Sequence, residues 1–172
     1  MKTVHFPKDF TPIKKENNKG VYLRASKDLD SLSREGKQII TKIDLPEMNY
    51  YILSEDFHIY NPFGSSNSSG SKAVYIARSA DKFRGLLLQY LPPFSNTSNH
   101  YHKNKYEAYH CFAGNAKLLI DAAEHNLEIG KTVVVKPNQV HSVITDSDPC
   151  LTLLEITGDP KGLSMLDHNY IN

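Results

Sequence analysis

From about residue 72 onward the sequence predicts an all-β domain, a sandwich or barrel preceded by a short helix and an extended arm. Three observations carry this. Short runs rich in β-branched and aromatic residues recur from Ala73 to Ile156, such as Thr132-Val133-Val134-Val135 and Leu151 to Ile156. Gly, Pro, Asn and Asp clusters interrupt them at close intervals, as in Pro92-Pro93, Ala113-Gly114-Asn115 and Gly158-Asp159-Pro160. No long helical periodicity competes in that half.

The chain has 172 residues, enough for one domain with a real core. We divide it into an N-terminal arm with a short helix and flanking strands (1–70), a barrel core (71–158) and a tail (159–172). In the arm, Val21 to Arg24 reads as a strand and Ser26 to Lys37 as a short helix. Ser26 would be its N-cap, with Asp28 and Asp30 in the first turn. Gln38 to Leu45, Tyr50 to Leu53 and Phe57 to Tyr60 read as strands. Ser65 to Ser71 contains only Ser, Asn and Gly and reads as a flexible surface loop. In the core, strands are expected at Ala73–Arg78, Phe83–Leu91, Tyr106–Phe112, Ala116–Ile120, Leu127–Gly130, Thr132–Val135, Ser142–Thr145 and Leu151–Ile156.

Bulk properties exclude several classes. With 20 Lys+Arg against 19 Asp+Glu the net charge is +1, which argues against nucleic-acid binding. The first ten residues lack a continuous apolar segment, and no apolar run reaches spanning length. A cytoplasmic protein with no membrane association is expected. The 2 cysteines, Cys111 and Cys150, make no disulfide framework and read as small buried apolar side chains.

The chemistry concentrates in His100-Tyr101-His102-Lys103-Asn104-Lys105-Tyr106-Glu107. Alternate residues of a strand share a face, so His100 and His102 project together with Tyr101 opposite. A turn at Lys103-Asn104-Lys105 can bring Glu107 to the same pocket from a neighbouring strand. His141, following Lys136-Pro137-Asn138, can arrive from a third. Three imidazoles and one carboxylate suit a first-row transition metal and leave one or two coordination positions open for chemistry. Tyr109 and Cys111 share the inward face of Glu107, while His110 points away. Glu107 and Tyr109 are the candidate acid–base groups. Arg78, Arg84 and Gln89 are expected near the mouth. His5, His58, His125 and His168 are read as surface residues, with Lys103 and Lys105 as solvated turn residues.

These residues resemble the cupin superfamily. Its first motif is Gly, five residues, His-x-His, three or four residues, Glu, six residues, Gly. His100, His102, Glu107 and Gly114 fit it, and Phe94 stands at the leading Gly position. Gly130 and His141 keep the separation of the second motif. There Pro137 is one place late, Asn138 replaces a Gly and Thr145 replaces the trailing Asn. Asn tolerates a left-handed turn well. The resemblance spans about Ala73 to Ile156. It implies a double-stranded β-helix (jelly roll), one bound divalent transition metal (Fe, Mn, Zn, Ni or Co), a small-molecule substrate and a homodimer formed through N-terminal strands. It leaves three functions open: a sugar or sugar-phosphate isomerase or epimerase, an Fe(II) dioxygenase of a small organic acid or phenol, and a non-catalytic ligand-binding module. The run Leu153-Leu154-Glu155-Ile156 with Gly158-Asp159 looks like the end of cupin-type mannose-6-phosphate isomerases and tilts the expectation to the first.

Overall fold

The structure is a computed structural model, and it describes residues 2–5, 10–12, 21–26, 38–44, 49–54, 72–79, 83–158, 167 and 169–171. Among them there is no α-helix; they form fourteen strands in two sheets. Strands β1 (Lys2–His5), β3 (Val21–Ser26), β4 (Gln38–Asp44) and β5 (Asn49–Ser54) make a four-stranded sheet in the order β1-β4-β5-β3. The expected arm is thus largely a sheet. Ser26 ends strand β3, its backbone paired with Asn49 of β5. The rest of the predicted helix, the Phe57–Tyr60 strand and the Ser65–Ser71 loop lie outside the described residues. Strand β1 pairs in parallel with β4, and β2 (Phe10–Pro12) pairs with β6 (Lys72–Ser79), so these arm strands use their hydrogen bonds within this chain.

The large sheet follows β14-β8-β12-β9-β13-β7-β6-β2, with β10 and β11 also on β9. Its members beyond β2 and β6 are β7 (Arg84–Leu91), β8 (His100–Tyr101), β9 (Lys105–Ile120), β10 (Ala123–Glu128), β11 (Thr132–Val135), β12 (His141–Ile144), β13 (Cys150–Gly158) and β14 (Asn169–Tyr170). The mutually paired strands β7 and β13 have both faces buried. They accordingly read as nearly continuous apolar runs, Leu86-Leu87-Leu88 and Leu151 to Ile156.

One expectation is corrected here. Ala113-Gly114-Asn115 does not end a strand; β9 runs through it for 16 residues. Gly114 is a corner. Residues before it pair with β13 and β11, and residues after it pair with β10 and β12. The corner takes φ +69°, open to Gly without steric cost, and a Cβ on Gly114 would lie 1.7 Å from the Pro149 carbonyl oxygen. The bend curls one long strand across two parts of the barrel. Its inward side chains then close a single core with Leu91, Leu127, Val135, Val143, Cys150, Leu154 and Ile156.

Candidate metal centre

Alternation along β9 sets the floor of the site. Lys105, Glu107, Tyr109 and Cys111 are all buried, while Tyr106 is exposed. Glu107 stands between Ile156 of β13 and Val135 of β11, both buried, so its carboxylate is enclosed by apolar side chains. His100 lies on β8, and His102 follows directly after that strand. His141 begins β12, opposite His100 on one side and Ile120 on the other. The second motif also takes the expected shape. Asn138 has φ +65°, and its N–H donates to the His102 carbonyl at 2.7 Å, tying the loop before His141 to the first histidine pair.

The four predicted ligands converge. One ligand atom from each of His100, His102, Glu107 and His141 lies within 4.8 Å of the others, and all four residues are buried. Opposed ligands of a first-row ion stand about 4.2 Å apart, so the cluster needs only slight contraction. The imidazole tautomers are set by their outer partners. Nδ1 of His100, His102 and His141 faces the carbonyl oxygen of Ser98 (2.7 Å), Asp167 (2.8 Å) and Gln139 (3.0 Å) respectively. A carbonyl only accepts, so each Nδ1 carries hydrogen and donates. In that tautomer a neutral ring turns its Nε2 lone pair inward. Nε2 of His102 and of His141 each lies 3.1 Å from a Glu107 oxygen. Lone pairs facing a carboxylate repel it unless a proton or a cation lies between them. The donor set fits a divalent transition metal.

Electrostatics agree. Burial, with the neighbouring His141 adding to it, lowers the His100 pKa to about 4, so this ring is neutral at pH 7. Burial raises the Glu107 pKa, but positive charge at the His102 and His141 Nε2 atoms, which bond it when protonated, outweighs that and holds the carboxyl well below its ordinary range. The Tyr109 hydroxyl donates to Glu107 Oε2 at 2.9 Å. Burial, and then the Glu107 charge, push its pKa well above 10.

The other candidates separate. His110 turns off the inward face and bonds Thr132 Oγ1 at 2.8 Å. Cys111 is no ligand of the cluster. Its Sγ lies 3.8 Å from that of Cys150 in the apolar core, where the Cys111 hydrogen bond and burial push Cys150 upward. Gln89 is buried and accepts from Thr152 Oγ1, level with Cys111 rather than with the cluster. Arg84 is level with Tyr106 through Thr157, at the strand end nearer the cluster. The Arg78 side chain, and those of His5, His58 and His168, lie outside the described residues; His125 is exposed. Thr145 is buried and bonds the Pro92 carbonyl at 2.5 Å and the Ser95 N–H at 3.0 Å, which fastens the loop before β8.

Sequence reasoning missed two neighbours of the site. Lys105 is 3% exposed rather than solvated, and counting back from Glu107 by two would have found it. Burial lowers its pKa, against the raising effect of the Glu107 and Asp167 charges. Asp167, far off in the chain, gave no sequence signal at all.

A family model described as a cupin domain matches residues 87–157, a span that holds all four candidate ligands. Among solved structures, KdgF from Halomonas sp. aligns with TM-score 0.50 at 11% identity, covering 58% of this chain and 89% of that one; this is a likeness of fold. A structure of the DMSP lyases RdDddP and RnDddQII aligns at 28% identity and TM-score 0.46, covering 52% of this chain. The aligned part spans only 44% of that chain. A cupin-superfamily sugar phosphate isomerase from Silicibacter pomeroyi aligns at 22% identity and TM-score 0.43, covering 51% of this chain and 60% of that one. No curated protein sequence matches.

Proposed function

We propose that this chain, which belongs to the cupin superfamily through its barrel and the domain over residues 87–157, is a metal-dependent enzyme that moves a proton on a small, oxygen-rich molecule. An isomerase or epimerase of a sugar or sugar phosphate is the reading we adopt. The carrying observation is the convergence of His100, His102, His141 and Glu107 with the Tyr109 hydroxyl hydrogen-bonded to that same Glu107.

A divalent transition metal held by His100, His102, Glu107 and His141 would supply a Lewis acid for substrate oxygens. The residues of the chain do the rest. The three histidines, oriented by their backbone carbonyl partners, hold the donor geometry. Glu107 contributes negative charge in an enclosure that excludes water. Tyr109 supplies a protic group that can orient a substrate oxygen or donate to it. The buried Lys105 ammonium lies on the same inward face and favours an anionic substrate.

The same donor set suits an Fe(II) dioxygenase, and a panel assay separates the two. The metal-stripped protein, reloaded with Mn, Zn, Ni or Fe, is assayed anaerobically with aldose and ketose phosphates by NMR in deuterated water. Deuterium incorporation next to the carbonyl supports the isomerase reading. Dependence of turnover on oxygen uptake would replace it with the dioxygenase reading. Metal content equal to that of a His100→Ala/His102→Ala variant would remove both.

A further inference from the structure

The three histidines are not held alike. His100 and His141 bond carbonyls two residues away in their own segments, Ser98 and Gln139. His102 bonds the carbonyl of Asp167, 65 residues further along the chain. The same residue makes three contacts with the segment around His102. Besides its carbonyl on His102, its two carboxylate oxygens accept from Lys103 N and Asn104 N, each at 3.1 Å. Asp167 thus fixes both the ring of the ligand and the turn that leads from it to Glu107.

The residues after it bind the same short strand. Asn169 Nδ2 donates to the Asp167 carbonyl at 3.1 Å and to the Tyr101 carbonyl at 3.3 Å. Strand β14 pairs with β8 in the register Asn169↔Tyr101 and Tyr170↔His100, and Ile171 N donates to the Asn99 carbonyl at 3.0 Å. Strand β8 is two residues long and meets β12 at the single pair His141↔His100, so much of its backbone pairing comes from this strap.

We infer that Asp167 and Asn169–Ile171 act as a strap that positions the metal ligand His102, with Asp167 as its positioning residue. The inference rests on the metal reading above. Metal binding and strap docking are then coupled, and linkage makes the coupling reciprocal. The strap tightens metal binding by the same factor as metal tightens the docked strap.

The test uses the metal-stripped full chain, Asp167→Ala, Asp167→Asn and a variant ending at residue 166. Each is titrated with Zn against a chromophoric chelator, and each Co(II) form is examined by visible absorption. The Asp167→Ala substitution should weaken Zn binding on the order of tenfold, and the shortened variant by roughly 10–100-fold. Asp167→Asn, which keeps one acceptor oxygen, should recover part of the affinity. The Co(II) spectrum should change in Asp167→Ala and return toward the parent in Asp167→Asn. Zn should slow hydrogen exchange of the Ile171 amide in the full chain. If the shortened variant does not fold, the two Asp167 substitutions carry the test by themselves. A full chain that binds Zn while Asp167→Ala binds it within twofold, with an unchanged Co(II) spectrum, overturns the strap. A full chain that binds no Zn overturns the metal reading, and the strap with it.

Discussion

His141 stands directly opposite His100 across the β12–β8 ladder, with their ring centroids 4.2 Å apart. Burial, and then the neighbouring imidazole, disfavours charge on His100. In the metal-free protein this makes the site acid-sensitive. The folded pKa of His100 lies near 4 against 6.5 for the free side chain, so the unfolded chain binds more protons between those values. The stability contributed by the neutral ring is full above 6.5 and is lost as pH falls toward 4, by roughly 3 kcal/mol at most. Glu107, held below its ordinary range, adds a loss in the same direction once pH drops under about 4.5. Urea midpoints of the metal-stripped protein should therefore fall steadily from pH 7 to pH 4.5. A flat profile would contradict this placement of His100.

Tyr109→Phe removes the hydroxyl that donates to Glu107 Oε2 and keeps the ring, which packs between Leu154 and Val133. Metal content should be unchanged while kcat falls on the order of 100-fold, the usual worth of a positioned proton donor. Equal loss of metal and activity would instead make the hydroxyl a support for Glu107.

Gly114→Ala should be among the most damaging small substitutions in the chain. The new Cβ would sit 1.7 Å from a backbone oxygen, that of Pro149, and the φ of +69° strains any L side chain. We expect a loss of at least about 3 kcal/mol, read from denaturant midpoints or as failure to accumulate folded protein. A variant within about 1 kcal/mol of the parent would mean the corner can relax.

Phe94 adopts φ +52° with its side chain 82% exposed, at the position where the first motif has Gly. A non-Gly residue there carries left-handed strain, and little burial offsets it. Phe94→Gly should stabilise by about 0.5–1 kcal/mol, raising the melting temperature by a few degrees. An unchanged or lower melting temperature would show that the ring contributes contacts that compensate.

The sequence legibly encoded what depends on local periodicity. The period-2 alternation put Glu107, Tyr109 and Cys111 on one face and His110 on the other, and the structure agrees. The Gly130–His141 spacing pointed to the fourth member of the cluster, and Asn138 takes the left-handed conformation its residue type allows. Local signals misled where pairing partners overruled them. Ala113-Gly114-Asn115 has the chemistry of a turn, but β13 and β10 hold strand on either side and convert it to a corner.

Residue types and their spacing thus determined the donor set of this protein and the barrel able to assemble it, because alternation and turn chemistry act over a few residues. Long-range closure settled how the donors are held. The His102 ring is fixed by the Asp167 carbonyl, and the His141–His100 pair exists because two strands 40 residues apart share one ladder position. A backbone carbonyl carries no side-chain identity, so no pattern in the residues could announce that it would reach His102.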